Sequence, residues 1–148
     1  MKNLSEVIQI SSNTSSQILS EAFERISNHI ETDLWINVED GYEHNSYWMR
    51  TPPEELGEVD EVGIIEIDID LCTFQKIVAI AHEVGHYFLD QDDVFGESSH
   101  TIFKESLAWY LGLDYVRKIG VNIDAKEYVE EMNKCLELYV RSMNEQED

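Results

Sequence analysis

Between Phe74 and Gln91 the chain reads FQKIVAIAHEVGHYFLDQ, and no other stretch limits its fold so strongly. Ile77, Ile80, Ala81, Val84 and Phe88 recur at three- and four-residue spacing, which predicts an amphipathic helix with that stripe against a core. Inside it stands His82-Glu83-Val84-Gly85-His86, the pattern HExxH. Two histidines at i and i+4 leave one side of a helix a turn apart, where both imidazoles can hold one metal ion. Glu83 points to the flank, suited to act as a general base toward water at that ion. Gly85 costs helix propensity, a cost worth bearing where another backbone passes close by. Thr73 is expected to cap the helix, which gives way at Asp90-Gln91-Asp92-Asp93.

The flanking chain predicts what this helix packs against. Residues 1–13 look irregular, and Thr14 to Thr32 has Ile18, Leu19, Ala22, Phe23, Ile26 and Ile30 at helical spacing, with Thr14 or a neighbouring serine as cap. Leu34 to Val38 alternates like a strand, Glu39-Asp40-Gly41 reads as a turn, and His44 to Arg50 as a returning strand. The acidic stretch Glu54 to Glu61 reads as a solvated loop. Val62 to Asp70 is the clearest strand, with Ile65, Ile67 and Ile69 on one face and Glu66, Asp68 and Asp70 on the other, an acidic face read as solvated. After a loop from Val94 to His100, Thr101 to Lys118 predicts a third helix packing through Ile102, Leu107, Tyr110, Leu111, Tyr115 and Ile119, with Gly120 at its C′ position. Asp124-Ala125-Lys126-Glu127 opens a last helix to about Met143 like a capping box, with Val129, Met132, Leu136, Tyr139 and Met143 inward and a frayed tail beyond. The expected fold is α+β, one domain over residues 1–148: a small mixed or antiparallel sheet packed on the HExxH helix, with three further helices.

A chain of 148 residues, 43% hydrophobic, can bury a core without staples. No apolar run is long enough to span a bilayer and the first residues do not read as a signal peptide, so a cytoplasmic location is expected. Cys72 and Cys135 suit a reducing compartment, and neither has the CxxC spacing of a cysteine zinc site. A net charge of −21 argues against direct nucleic-acid binding, which needs clustered lysine and arginine, and suits a basic protein partner or plain solubility.

A catalytic zinc ion needs a third protein ligand and an open position. Glu105 is the leading candidate: 18 residues separate it from His86, and it lies one turn into the next helix, from which a carboxylate can reach back to the imidazoles. Asp92, six residues after His86, is the rival by analogy with HExxHxxGxxH enzymes, but position 89 is Leu where that pattern has its turning glycine. His100 is a weaker candidate, and His29 and His44 carry no ligand spacing. Tyr87, Tyr110 or Tyr47 could supply a hydroxyl to an oxyanion, and sequence does not rank them.

From about Ile64 to Gly120 the chain resembles the ImmA/IrrE-type metallopeptidases, in an apolar strand, the helix IVAIAHEVGHYFLD, and FKESLAWYLG with Ala108 three residues after its glutamate. The resemblance implies a zincin-like fold of gluzincin type, one zinc ion on His82, His86 and Glu105, Glu83 as general base, and cleavage of a peptide bond in a protein substrate such as a repressor. The chain departs from that family in carrying no helix-turn-helix segment or downstream Met-Pro motif, and in its acidity, which leaves the substrate open. The other expectation is a non-enzymatic acidic interaction protein, a phage- or plasmid-type factor or DNA mimic, whose metal site is structural or vestigial.

Overall fold

Ser15 opens the first helix by accepting the Ile18 N–H, and the apolar spacing that follows drives Leu19, Ala22, Ile26 and Ile30 into the core. The computed structural model describes residues 6–41, 47–50, 63–92 and 102–146. In chain order these form β1 (Ile8–Ile10), α1 (Ser16–Asp33), β2 (Ile36–Gly41), β3 (Tyr47–Arg50), β4 (Gly63–Asp68), α2 (Thr73–Asp92), α3 (Ile102–Lys118), β5 (Val121–Ile123) and α4 (Ala125–Gln146). The arrangement is α+β, with four helices and two small sheets among the described residues. None of the described helices is long and apolar enough to cross a membrane. The predicted loops at 54–61 and 94–100 lie outside the described residues.

The larger sheet is mixed, in the order β2-β4-β3, with β2 parallel and β3 antiparallel to β4. The expected turn at Glu39-Asp40-Gly41 is instead the end of β2, because β4 offers it a ladder as far as the pair Gly41 and Asp68. β3 accordingly pairs with β4 and not with β2. β4 buries Gly63, Ile65 and Ile67 in strict alternation, as its sequence predicts, but Ile69 lies past the strand end and is 49% exposed. There the Asp68 carboxylate accepts the Asp70 N–H and bends the chain toward α2.

Cys72 and not Thr73 stands before the first turn of α2: its carbonyl accepts from Lys76 N, and the Gln75 side chain accepts the Cys72 N–H. Phe74, Ile77, Val78, Ile80, Ala81, Val84 and Leu89 of α2 are buried. α3 buries Ala108, Trp109, Gly112, Leu113 and Val116, whereas Tyr110, expected inward, is 55% exposed and Ile102 is also exposed. The smallest residues mark the closest approach of α3 to α2. A Cβ on Gly85 would stand 1.7 Å from the Ala108 carbonyl oxygen, and one on Gly112 would stand 1.7 Å from that of Ala81. The two helices thus cross with backbones in direct contact at reciprocal Ala-x-x-x-Gly steps.

Gly120 ends α3 with φ 91°, as its C′ position predicts. The second sheet joins β1, expected to be irregular, to β5 in parallel, Ile8 opposite Val121 and Ile10 opposite Ile123. Ile10 O then accepts the Asp124 N–H, so only half of the expected capping box forms. Asp124 Oδ2 accepts from Glu127 N, while the Glu127 carboxylate turns away to take the N–H and hydroxyl of Ser12. Among the described side chains of α4, Tyr128 and Met132 are buried, Leu136 and Tyr139 are half-buried and Val129 is exposed, while the side chain of Met143, expected inward, lies outside them.

Candidate metal centre

His82 and His86 leave α2 on the side facing the first turn of α3, where Glu105 stands. The three donors converge. His82 Nε2 lies 2.9 Å from Glu105 Oε1, His86 Nε2 lies 3.1 Å from Glu105 Oε2, and the two Nε2 atoms are 3.0 Å apart. Among the described residues this is the one group of three potential ligands that gathers within 4.8 Å. Ligand atoms bound at about 2.0–2.1 Å to one ion in near-tetrahedral directions stand roughly 3.3 Å apart, so two imidazole nitrogens and a carboxylate at these separations fit a zinc-sized cation. Two neutral imidazole nitrogens gain little by facing each other, and a shared cation makes that arrangement favourable.

The helix crossing sets the convergence. Ala108, three residues after Glu105, touches Gly85, one residue before His86, so the backbone contact fixes how far the carboxylate stands from the imidazoles. The indole of Trp109 stacks on the His82 ring, with centroids 4.3 Å apart and an interplanar angle of 14°, and fixes its orientation. Tyr128 in turn donates its buried hydroxyl to the Trp109 carbonyl. Glu105, Ala108, Trp109 and Gly112 follow the i, i+3, i+4, i+7 spacing of one helical face. That spacing is the signal by which Trp109, Ala108 and Gly112 could have been found once Glu105 was singled out.

Burial pushes the His82 pKa down, only partly offset by its hydrogen bond to Glu105, which favours the neutral ring a metal requires. Burial alone would raise the Glu105 pKa, but hydrogen bonds from His82 and His86 prevail and hold the carboxyl well below the usual range. Glu83 is buried beside this group, its Oε2 3.6 Å from His82 Nδ1. It also lines a cavity of about 310 Å³ between the first half of α2, Trp109 and α4. On the α4 side this cavity is lined by Glu131 and Cys135, neither singled out by sequence. Burial, followed by the Glu131, Glu105 and Glu83 carboxylates, raises the Cys135 thiol pKa.

Of the remaining candidates, some fall outside the described residues. Asp92 is the last residue of α2, and its side chain, with the whole of His44 and His100, is outside the described residues. His29 faces Asp33 on the surface of α1, 3.0 Å away. Tyr87 packs edge-on against Phe88, Tyr110 is exposed on α3, and Tyr47 opens β3. Comparisons with protein-family models, with curated proteins and with solved structures returned no match for this chain.

Proposed function

We propose that this chain is a zinc-dependent metalloendopeptidase of the ImmA/IrrE kind, a zincin-like gluzincin that hydrolyses a peptide bond in a protein substrate, such as a regulator or repressor. The observation that carries this reading is the convergence of His82 Nε2, His86 Nε2 and a Glu105 carboxylate oxygen within ligand distance of one another, beside a buried glutamate on the same helix. His82, His86 and Glu105 would hold the ion. Zinc, when bound there, supplies a Lewis acid that acidifies water and polarises a carbonyl.

The chain's own groups do the rest. Glu83 takes the proton of the attacking water and delivers it to the leaving amine, a role that suits a carboxylate kept out of bulk solvent. Trp109 keeps the His82 ring from turning, and the Gly85–Ala108 contact keeps Glu105 within reach. β4, which leads to the HExxH helix, is paired on both sides, so an extended substrate would add instead to β3, the antiparallel edge strand among the described residues. Both cysteines are free thiols, in keeping with a reducing, cytoplasmic setting.

The test is Glu83→Gln assayed on an unfolded protein such as casein. The variant retains one zinc per chain and loses hydrolysis by at least about 10²-fold; full activity in the variant sinks the reading. The net charge of −21 favours a second reading, an acidic protein that occupies a basic partner. On that reading partner binding survives Glu83→Gln and weakens steeply with salt.

A further inference from the structure

We infer that the cavity beside His82 and Glu83 receives a basic side chain, lysine or arginine, adjacent to the bond that is cleaved. The inference rests on the metallopeptidase reading above and adds to it the class of residue selected. At about 310 Å³ the cavity sits at the small end of ligand-holding clefts, roughly 300–1,000 Å³, a size for one side chain. Leu71, Val78, Ala79 and the Trp109 ring give it apolar walls, while Asp68, at the end of β4, and Glu131, on α4, bring carboxylates from two separate elements.

No lysine or arginine lines it among the described residues. Glu131 pairs with Lys134 at 3.4 Å, but that lysine is largely exposed three residues along the same helix, a contact easily given up. A long aliphatic stem with a cationic tip satisfies both kinds of wall. An uncharged apolar side chain offers nothing to the Asp68 and Glu131 carboxylates, and an acidic one would add a like charge beside Glu83.

Cys135 lines the same cavity and serves as a reporter that needs no turnover. In the full chain carrying Cys72→Ser, the thiol is modified with 2-aminoethyl or with 2-sulfonatoethyl methanethiosulfonate. Each reagent leaves a mixed disulfide and releases methanesulfinate, and the ratio of the two rates cancels the thiolate fraction. Relative to free cysteine, the ratio should favour the cationic reagent by about tenfold or more, and should fall at least about threefold in Asp68→Asn and in Glu131→Gln. Glu24→Gln, which removes one charge from the exposed side of α1, should leave it unchanged.

A ratio insensitive to both cavity substitutions overturns the inference. Mass-spectrometric mapping of cleavages in unfolded casein supplies the second readout. Lysine or arginine enriched on one side of the cleaved bonds, and lost in Asp68→Asn and Glu131→Gln, supports the recess. Cleavage without that enrichment overturns the recess and leaves the metallopeptidase reading standing. No cleavage at all defeats the metallopeptidase reading, and the recess as a substrate site with it, whatever the thiol ratio.

Discussion

Replacing Gly85 by alanine adds one methyl group at the closest approach of α2 and α3. Its carbon would stand 1.7 Å from the Ala108 carbonyl oxygen, 2.5 Å from the carbonyl carbon and 2.9 Å from the Ala108 Cα. Backbone atoms cannot rotate aside as a flexible side chain would, so the helices must part by more than about 1 Å. A gap of that size forfeits roughly a quarter to a half of the attraction of each contact along the crossing. Overpacking of this sort costs about 1–3 kcal/mol, against about 1 kcal/mol regained by taking glycine out of a helix interior. With backbone as the obstacle the upper end applies, giving a net loss of about 2 kcal/mol and a Tm lower by roughly 4–8 °C for a chain of this size. The same movement carries Glu105 away from the imidazoles by more than the ~0.5 Å that a ligand set tolerates, so zinc affinity should fall about 10–100-fold. Thermal melts and a competitive zinc titration read the two effects together. Gly85→Ala as stable as wild type, with unchanged zinc affinity, would refute the close crossing.

Glu105→Ala removes the one carboxylate that, among the described residues, faces both imidazoles, and should weaken zinc binding by at least about 100-fold, the upper range seen when only an outer partner is lost, as read by chelator competition. Tyr128→Phe deletes the buried hydroxyl that donates to the Trp109 carbonyl and should cost about 1 kcal/mol, read as a Tm lower by roughly 2–4 °C, with the zinc stoichiometry unchanged. The hydroxyl and N–H of Ser12 hold the Glu127 carboxyl below its ordinary value of 4.5, so this tether is present above that value and lost as pH falls through the lowered one. An NMR titration should therefore find the Ser12 amide shift moving with a midpoint below 4.5 in the native protein, and no such step in Glu127→Gln.

The elements that sequence revealed are those whose pattern is local. HExxH declares two same-side histidines by spacing alone, β4 declares itself by alternation, and Gly120 sits where a helix needs a left-handed residue. Glu105 could be picked out because a ligand on the next helix has few places to be. What stayed hidden depends on partners distant in sequence. β1 and β5 are three residues each and gain strand geometry only from one another, so neither carries a readable period. Glu39-Asp40-Gly41 has turn chemistry, yet the β4 ladder extends it. On α3 the large residues were expected inward, but the approach to α2 is set by Ala108 and Gly112, and Tyr110 is left outside. On α4 the same kind of displacement buries Tyr128, which reaches the Trp109 carbonyl, and leaves Val129 exposed. Trp109 is absent from the residues expected to pack from α3, and only the fold brings its ring against His82.

The proposed function requires a metal ion on His82, His86 and Glu105. Anomalous diffraction at the zinc edge, from crystals of the zinc-loaded protein, should give one strong peak bounded by His82 Nε2, His86 Nε2 and the Glu105 carboxylate. A peak held by the two histidines and Asp92, with Glu105 turned away, or no peak at HExxH in zinc-saturated crystals, would contradict it.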